Sequence, residues 1–251
     1  MVKIYLKKIN TPIKKLTQKL NKSSGHNNTG CLTVKNKIFG VSKTKYRLID
    51  FKYTIWNIYG VVKTIEYDPY RNSFIALVYY PLINLLTYRL SPKNLIVNSL
   101  IFTGNRINLN PGNATYLKNI PISTKIFNIE AFPFSGGVYL RSAGAYGWII
   151  EKTEIYCLVK FNTTKKIKKF SNWCVATIGI NSNEKFRYKK LRKAGLKRFI
   201  KKKKSNVRGV AKNAVDHPHG GGKGKKSPPK VTYNSWRKLP KNAKTAKLRK
   251  Y

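Results

Sequence analysis

Apolar and polar residues begin to alternate at Tyr46. Residues 46–58, Tyr-Arg-Leu-Ile-Asp-Phe-Lys-Tyr-Thr-Ile-Trp-Asn-Ile, are rich in β-branched and aromatic side chains, and their alternation predicts a strand with one face on a core. Residues 61–67 and 73–80 predict two further strands. Between them, Asp68-Pro-Tyr-Arg-Asn72 is a turn signal, because proline presets φ for a tight reversal. Shorter apolar runs follow at 85–90 and 95–102. Short strands joined by tight turns suit a small closed barrel, which leaves no edge exposed. Pro111 and Gly112, within 108–113, mark a boundary. A second set of strands is predicted at 125–130, 138–141, 146–151, 155–161, 167–170 and 174–178, with turn signals at 132–137 and 142–144, and implies a second small barrel. No helical period appears before Phe186; residues 186–194 predict one short helix stopped at Gly195.

After Gly195 the sequence turns to Lys, Gly, Pro and Asn, and Pro218, Pro228, Pro229 and Pro240 exclude a long helix. Alone, such a tail cannot bury enough apolar surface to offset its ordering entropy and is expected to be disordered. The longest apolar run, 95–102, is interrupted by Asn98 and falls short of the ~18 residues that span a bilayer. No membrane partner is expected.

Charge changes the picture. The 251 residues carry 52 basic and 8 acidic side chains, a net charge of +44. Self-repulsion at that level opposes compaction, so a polyanion must supply the counter-charge. The acids are Asp50, Glu66, Asp68, Glu130, Glu151, Glu154, Glu184 and Asp216, so the ends are almost purely cationic and the middle holds both the acid and the apolar residues. A globular centre of roughly 130–150 residues between basic arms follows. The first 22 residues are basic, acid-free and without arginine, which favours an RNA-binding arm over an organellar transit peptide. Cys31, Cys157 and Cys174 are odd in number, lack a Cys-x-x-Cys pair, and read as reduced structural thiols. The abundance of Lys, Asn, Ile and Tyr points to an AT-rich genome.

Residues 208–224 concentrate the candidate chemistry. Gly220, Gly221 and Gly222 could bring bare backbone amides to phosphate or act as a flexible linker; lysines on both sides favour phosphate. Asp216 could orient His217 as a general base, but the nearest hydroxyl nucleophiles are Ser205 and Ser227, and a metal site would lack a fourth ligand. RNA contact by His217 and His219 is the better reading. The run 197–204 has six basic residues in eight, among them Lys201 and Lys202. These, with Arg208, Lys212, Asn213 and Lys223, are expected phosphate or base contacts. Residues 23–30 form a second glycine- and amide-rich loop, offering His26, Asn27 and Asn28; Lys35, Lys43 and Lys45 flank it. No catalytic residue, metal or cofactor is expected.

The 208–224 segment resembles the signature of the second universal protein family of the large ribosomal subunit. Other blocks match in order: Ser24-Gly-His-Asn-Asn-Thr-Gly30, Tyr46-Arg-Leu-Ile-Asp-Phe-Lys52, Ile65-Glu-Tyr-Asp-Pro-Tyr-Arg71 with Ile75-Ala-Leu-Val78, Pro111-Gly-Asn113, Asn119-Ile-Pro121, Asn128-Ile-Glu130 and Arg141-Ser-Ala-Gly144. The resemblance implies a mainly β chain. Its parts would be a basic arm at 1–23, an OB-fold barrel at 24–107, an SH3-like barrel at 108–190, and an extended basic tail with a glycine-rich loop at 191–251. It implies binding to large-subunit rRNA near the peptidyl transferase centre, with Arg71, Arg141 and Ser142 of the matching blocks as further RNA contacts, and a part in assembly and subunit association. The implied partners are rRNA, neighbouring ribosomal proteins and the small subunit. The family histidine once linked to peptide-bond chemistry matches His217, read here as structural; an RNA-acting enzyme using the Asp-His pair is the alternative. Ala214 stands where the family commonly has proline, and Lys223 where it has glutamate or a neutral residue. The aromatic stretch 53–60 and the apolar stretch 79–88 also depart from it and suit additional protein neighbours. With the AT-rich composition they favour a mitochondrial ribosome over a plastid or bacterial-type cytoplasmic one.

Overall fold

The alternating run at 46–58 does not become one strand. In the computed structural model, which describes residues 12–20, 23, 25–33, 44–105, 108–189, 193, 207–222 and 233–239, only Tyr46–Arg47 is extended in a sheet. The Asp50 carboxylate takes the next residues out of register by accepting the backbone N–H groups of Lys52 and Thr54, each at 3.1 Å. Tyr53 and Asn57 then turn left-handed, with φ of 52° and 57°. A local Asp side chain thus outcompetes the sheet for these amides.

The first barrel is built from β1 (Thr17–Gln18), β2 (Tyr46–Arg47), β3 (Tyr59–Tyr67), β4 (Phe74–Tyr80), β5 (Leu85–Leu90) and β6 (Leu100–Phe102). The last four form an antiparallel sheet in the order β5-β4-β3-β6, while β1 pairs with β2 and Ile49 bridges to Tyr88 on β5. Part of the expected basic arm joins this barrel: Ile13 and Leu16 pack into a core cluster, and the Ile13 N–H meets the Tyr88 hydroxyl at 3.3 Å. Burial pushes the Tyr88 hydroxyl up to about 12, so it remains a donor to buried Glu66, 2.9 Å away.

The second barrel holds β7 (Ala114–Tyr116), β8 (Lys125–Phe127), β9 (Ile129–Glu130), β10 (Gly137–Tyr139), β11 (Gly147–Lys152), β12 (Tyr156–Phe161), β13 (Ile167–Ser171) and β14 (Val175–Ile178). Six of these form a sheet in the order β13-β12-β11-β8-β14-β7, and β9 pairs with β10. The chain is therefore mainly β, an OB-type barrel followed by an SH3-like barrel. The short helix expected at 186–194 appears as a 3-10 turn over Glu184–Tyr188; most of the remainder lies outside the described residues. The buried thiols Cys157 and Cys174 belong to the second core, and all three cysteines are free.

Strand β4 is apolar on both faces because both are covered. Ala76, Val78 and Tyr80 fill the first barrel. Ile75 and Leu77 point the other way and pack in one cluster with Phe127 of β8 and Leu140. Polar contacts lock the same junction. Buried Tyr53 donates its hydroxyl to the Asn128 carbonyl at 2.8 Å and accepts from the Asn128 amide at 2.6 Å, with the Thr177 hydroxyl 2.8 Å away. Gly137 N–H donates to the Phe51 carbonyl at 2.7 Å. The segment after β14 returns to the first barrel, where Ser182 accepts from Phe74 N–H at 2.9 Å and Lys93 pairs with Glu184 at 2.8 Å. The two barrels are one compact unit, Met1–Leu20 with Lys43–Lys190.

Replacing Tyr53 by Phe removes one hydroxyl and leaves Asn128 and Thr177 groups without their partner in a dry site. We expect a loss of about 1–3 kcal/mol. Urea unfolding should show it as a lower midpoint at unchanged slope; an unchanged midpoint would contradict the lock.

Candidate nucleic-acid interface

The junction of the barrels leaves a groove of about 730 Å³. One wall is the β3–β4 turn and β2, with Tyr46, Tyr70, Arg71 and Asn72; the other runs from Val138 to Ser142 and includes Phe161 and Thr163. Asp68, fully buried, shapes the first wall. It accepts from Tyr70 N–H at 2.8 Å and pairs with the Arg71 guanidinium at 2.6 Å. Arg71 also donates to the Tyr46 hydroxyl at 2.7 Å and lies 4.9 Å from that ring's centroid. Arg141, exposed on the opposite wall, stands 4.8 Å from the Phe51 ring, which Arg71 also approaches, at 5.4 Å. A guanidinium over an aromatic ring can keep N–H groups for phosphate or a base edge; Arg141 suits this, whereas Arg71 directs one terminal nitrogen to Asp68 and the other to the Tyr46 hydroxyl.

Acid is scarce at this surface because the fold consumes it internally. Among the described residues the ion pairs are Arg71–Asp68, Arg89–Asp50 and Lys93–Glu184. Glu130, also buried, accepts backbone N–H groups from Gly136 at 2.9 Å and Val175 at 3.0 Å. Glu66 is held by Tyr88 and Thr64. Arg141 takes part in none of these ion pairs.

A second compact unit comprises Asn21–Ser42 with Leu191–Tyr251. Its segment 207–222 is folded on itself, contrary to the expectation of disorder. Asn213 C=O accepts from Asp216 N–H at 3.0 Å and His217 N–H at 3.2 Å, and His217 C=O accepts from Gly220 N–H at 2.8 Å. The glycines serve close approach rather than flexibility. A Cβ on Gly220 would stand 2.2 Å from the Asn213 oxygen, and one on Gly209 would stand 2.5 Å from the His217 ring. Gly221 and Gly222 have φ of 84° and 105°, which L side chains rarely adopt.

His217 is buried, and its Nδ1 accepts from His219 N–H at 3.1 Å. His219 Nε2 accepts from Tyr233 N–H at 3.0 Å, and the two imidazoles meet edge to face at 4.7 Å. In the Ser-His-Asp arrangement the histidine donates Nδ1–H to the carboxylate. Here Nδ1 is the acceptor, so His217 holds a turn.

Of the other expected contacts, His26, Asn27 and Asn28 lie in one exposed turn. Asn27 spends its side-chain oxygen on Thr29 N–H at 3.0 Å and Cys31 N–H at 2.8 Å. Lys45, Arg208, Asn213 and Asp216 are exposed, and Lys212 is half-buried. Lys35, Lys43, Lys201, Lys202 and Lys223 lie outside the described residues. The structure brings Arg71, Arg141 and Ser142 to one groove. Sequence reading did not anticipate the rings of Tyr46, Tyr70 and Phe51 beside them.

Two family profiles cover most of the chain. Ribosomal Proteins L2, RNA binding N-terminal domain, matches residues 13–103, and Ribosomal Proteins L2, C-terminal domain, matches residues 110–237. The chain belongs to the ribosomal protein L2 family. It is 44% identical over 241 residues to large ribosomal subunit protein uL2m of Reclinomonas americana, covering 96% of this chain and 86% of that protein. It is 40% identical over 239 residues to uL2 of Rhodospirillum rubrum, covering 95% and 84%. With uL2 of Orientia tsutsugamushi it shares 41% over 236 residues, covering 94% and 85%. The two L2 segments each supply one wall of the groove: Tyr46 and Arg71 come from the first, Arg141 and Ser142 from the second.

In this L2 chain, Gly220→Ala forces a Cβ onto the Asn213 backbone and should open the 207–222 turn. Limited proteolysis should cleave there several-fold faster than in the wild type, whereas Val215→Ala, at a side chain 89% exposed, should not change the rate. Equal rates for Gly220→Ala and wild type would refute the close-packed loop.

Proposed function

We propose that this chain is a structural constituent of the large ribosomal subunit, and that it grips large-subunit rRNA through the groove between its barrels. The observation that carries the reading is the pairing of Arg71 and Arg141 across an acid-poor aromatic groove in a chain of net charge +44. Phosphate contacts fix position along folded RNA, and lysine-rich segments on either side of the barrels add sequence-independent affinity. The close-packed loop at 207–222, with Arg208, Lys212, His217 and His219, and the turn at 26–28 are further proposed contacts. So are Lys35, Lys43, Lys45, Lys201, Lys202 and Lys223. We propose that the loop lies toward the peptidyl transferase centre and orders RNA there, and that the chain supports assembly and contact with the small subunit. Catalysis is no part of this role; the bonding of His217 Nδ1 runs against the Asp-His alternative.

A mitochondrial ribosome is the proposed location. The uL2m relative and the Lys-, Asn-, Ile- and Tyr-rich composition support it, although the bacterial relatives are nearly as similar. The charge-free stretch 79–88 exposes Leu82, Ile83 and Leu85 at the β4–β5 tip, and we propose that it meets a neighbouring ribosomal protein. Antibody-tagged chain should co-sediment with mitochondrial large subunits. Arg141→Ala, which disturbs no ion pair among the described residues, should weaken binding to large-subunit rRNA on the order of tenfold. Sedimentation apart from large subunits, or unchanged affinity, would count against the proposal.

A further inference from the structure

The outer face of the second barrel carries an arrangement that neither the fold nor the groove uses. The sheet register sets Trp148 of β11 directly opposite Lys160 of β12 on one side and Lys125 of β8 on the other. Directly opposed residues share a sheet face, so the three form one cross-strand row. Their neighbours Ile126, Ile149 and Val159 point the other way and are fully buried in the core. Tyr146, just before β11, adds a second ring, its centroid 5.8 Å from that of Trp148. Each ring lies beneath a lysine: Lys125 Nζ is 5.5 Å from the Tyr146 centroid and Lys160 Nζ 5.7 Å from that of Trp148.

Packing does not account for these rings. Both are half-buried, and neither belongs to any of the four core clusters or to the residues packed against them. The β12–β13 turn beside the row adds Lys165 and Lys166. The acid on this face, Glu151, stands opposite Leu158, three residues further along β11 from Trp148. Two flat apolar surfaces with ammonium groups beside them match a nucleotide, which presents a π-face and a phosphate. A protein partner would more commonly meet an apolar row or an acid-bearing one. A duplex buries its base faces in the stack and cannot use a ring platform.

We propose that Tyr146 and Trp148 form a stacking platform for an unpaired nucleotide of single-stranded RNA, with Lys125 and Lys160 swinging from the rings to the flanking phosphates. Lysine reads little of base identity, so the platform accepts any base and fixes a bulge or loop by its being unpaired. The inference rests on the reading of the chain as an rRNA-binding protein and adds a second contact surface, separate from the groove between the barrels.

The full-length chain and its variants should be titrated with an unstructured oligouridine strand and with a blunt RNA duplex. Trp148→Ala should weaken oligouridine binding about tenfold and leave duplex binding unchanged, while Trp148→Phe should restore most of the loss. The double variant Lys125→Ala/Lys160→Ala, confined to the surface, should lower the salt slope for the single strand by about 1.4. With bromouridine in the strand, photocrosslinks should map to Tyr146 or Trp148. Crosslinks confined to other peptides, together with an unchanged single-strand affinity for Trp148→Ala and for the double-lysine variant, would overturn the platform and leave this face to packing or a protein neighbour. A wild-type chain that bound neither RNA would overturn the rRNA-binding reading itself, a result distinct from the loss of the platform alone.

Discussion

The Tyr53 hydroxyl, seated between the backbone and amide of Asn128 and the hydroxyl of Thr177, joins two small barrels that could otherwise turn against each other. Around it, apolar residues from both faces of β4 bind the barrels into one body: Val78 serves the first core, while Ile75 and Leu77 meet Phe127. The junction is packed and bridged by buried hydrogen bonds, and it brings the two walls of the groove together. Arg71 and Arg141 therefore line one groove and both approach the Phe51 ring, although one belongs to each barrel. Small barrels have little core of their own; sharing Phe127 and Leu140 across the junction enlarges it.

The second constraint is electrostatic. With eight acids against 52 bases, a fold might be expected to spread its carboxylates over the surface to quench repulsion. Instead four of the eight, Asp50, Glu66, Asp68 and Glu130, are turned inward to hold backbone amides, hydroxyls and guanidinium groups. Each is spent on the architecture of a turn or a strand end. The exterior is left with cations that the chain does not neutralise, and an RNA partner supplies what is missing. Fold and binding are linked through this single choice of where the acids go.

Much of this was legible in the sequence, for identifiable reasons. Strands such as Tyr156–Phe161 and Ile167–Ser171 are long enough for alternation to declare them, and the Asp68-Pro-Tyr turn carries its own chemistry. Residues 46–58 misled because alternation cannot show that the Asp50 carboxylate will capture the amides of Lys52 and Thr54. Strand Ala114–Tyr116 was missed, being three residues whose partner, Val175–Ile178, is remote in sequence. The loop glycines, read as bringing bare amides to phosphate, also pack closely within the chain, since only the fold reveals that Asn213 lies against Gly220. The basic character of the interface was plain from charge, and Arg71, Arg141 and Ser142 followed from family resemblance. Their meeting in one groove required the junction to be built.

The account stands on the claim that RNA phosphate neutralises the exterior charge. Its most direct test is the affinity of the full-length chain for its large-subunit rRNA as salt is varied. Counterion release predicts a linear fall of log affinity with log salt, with a loss on the order of a thousandfold between roughly 50 and 200 mM. An affinity that stayed flat across that range would contradict the account, since binding would then owe little to the cations that the fold leaves uncovered.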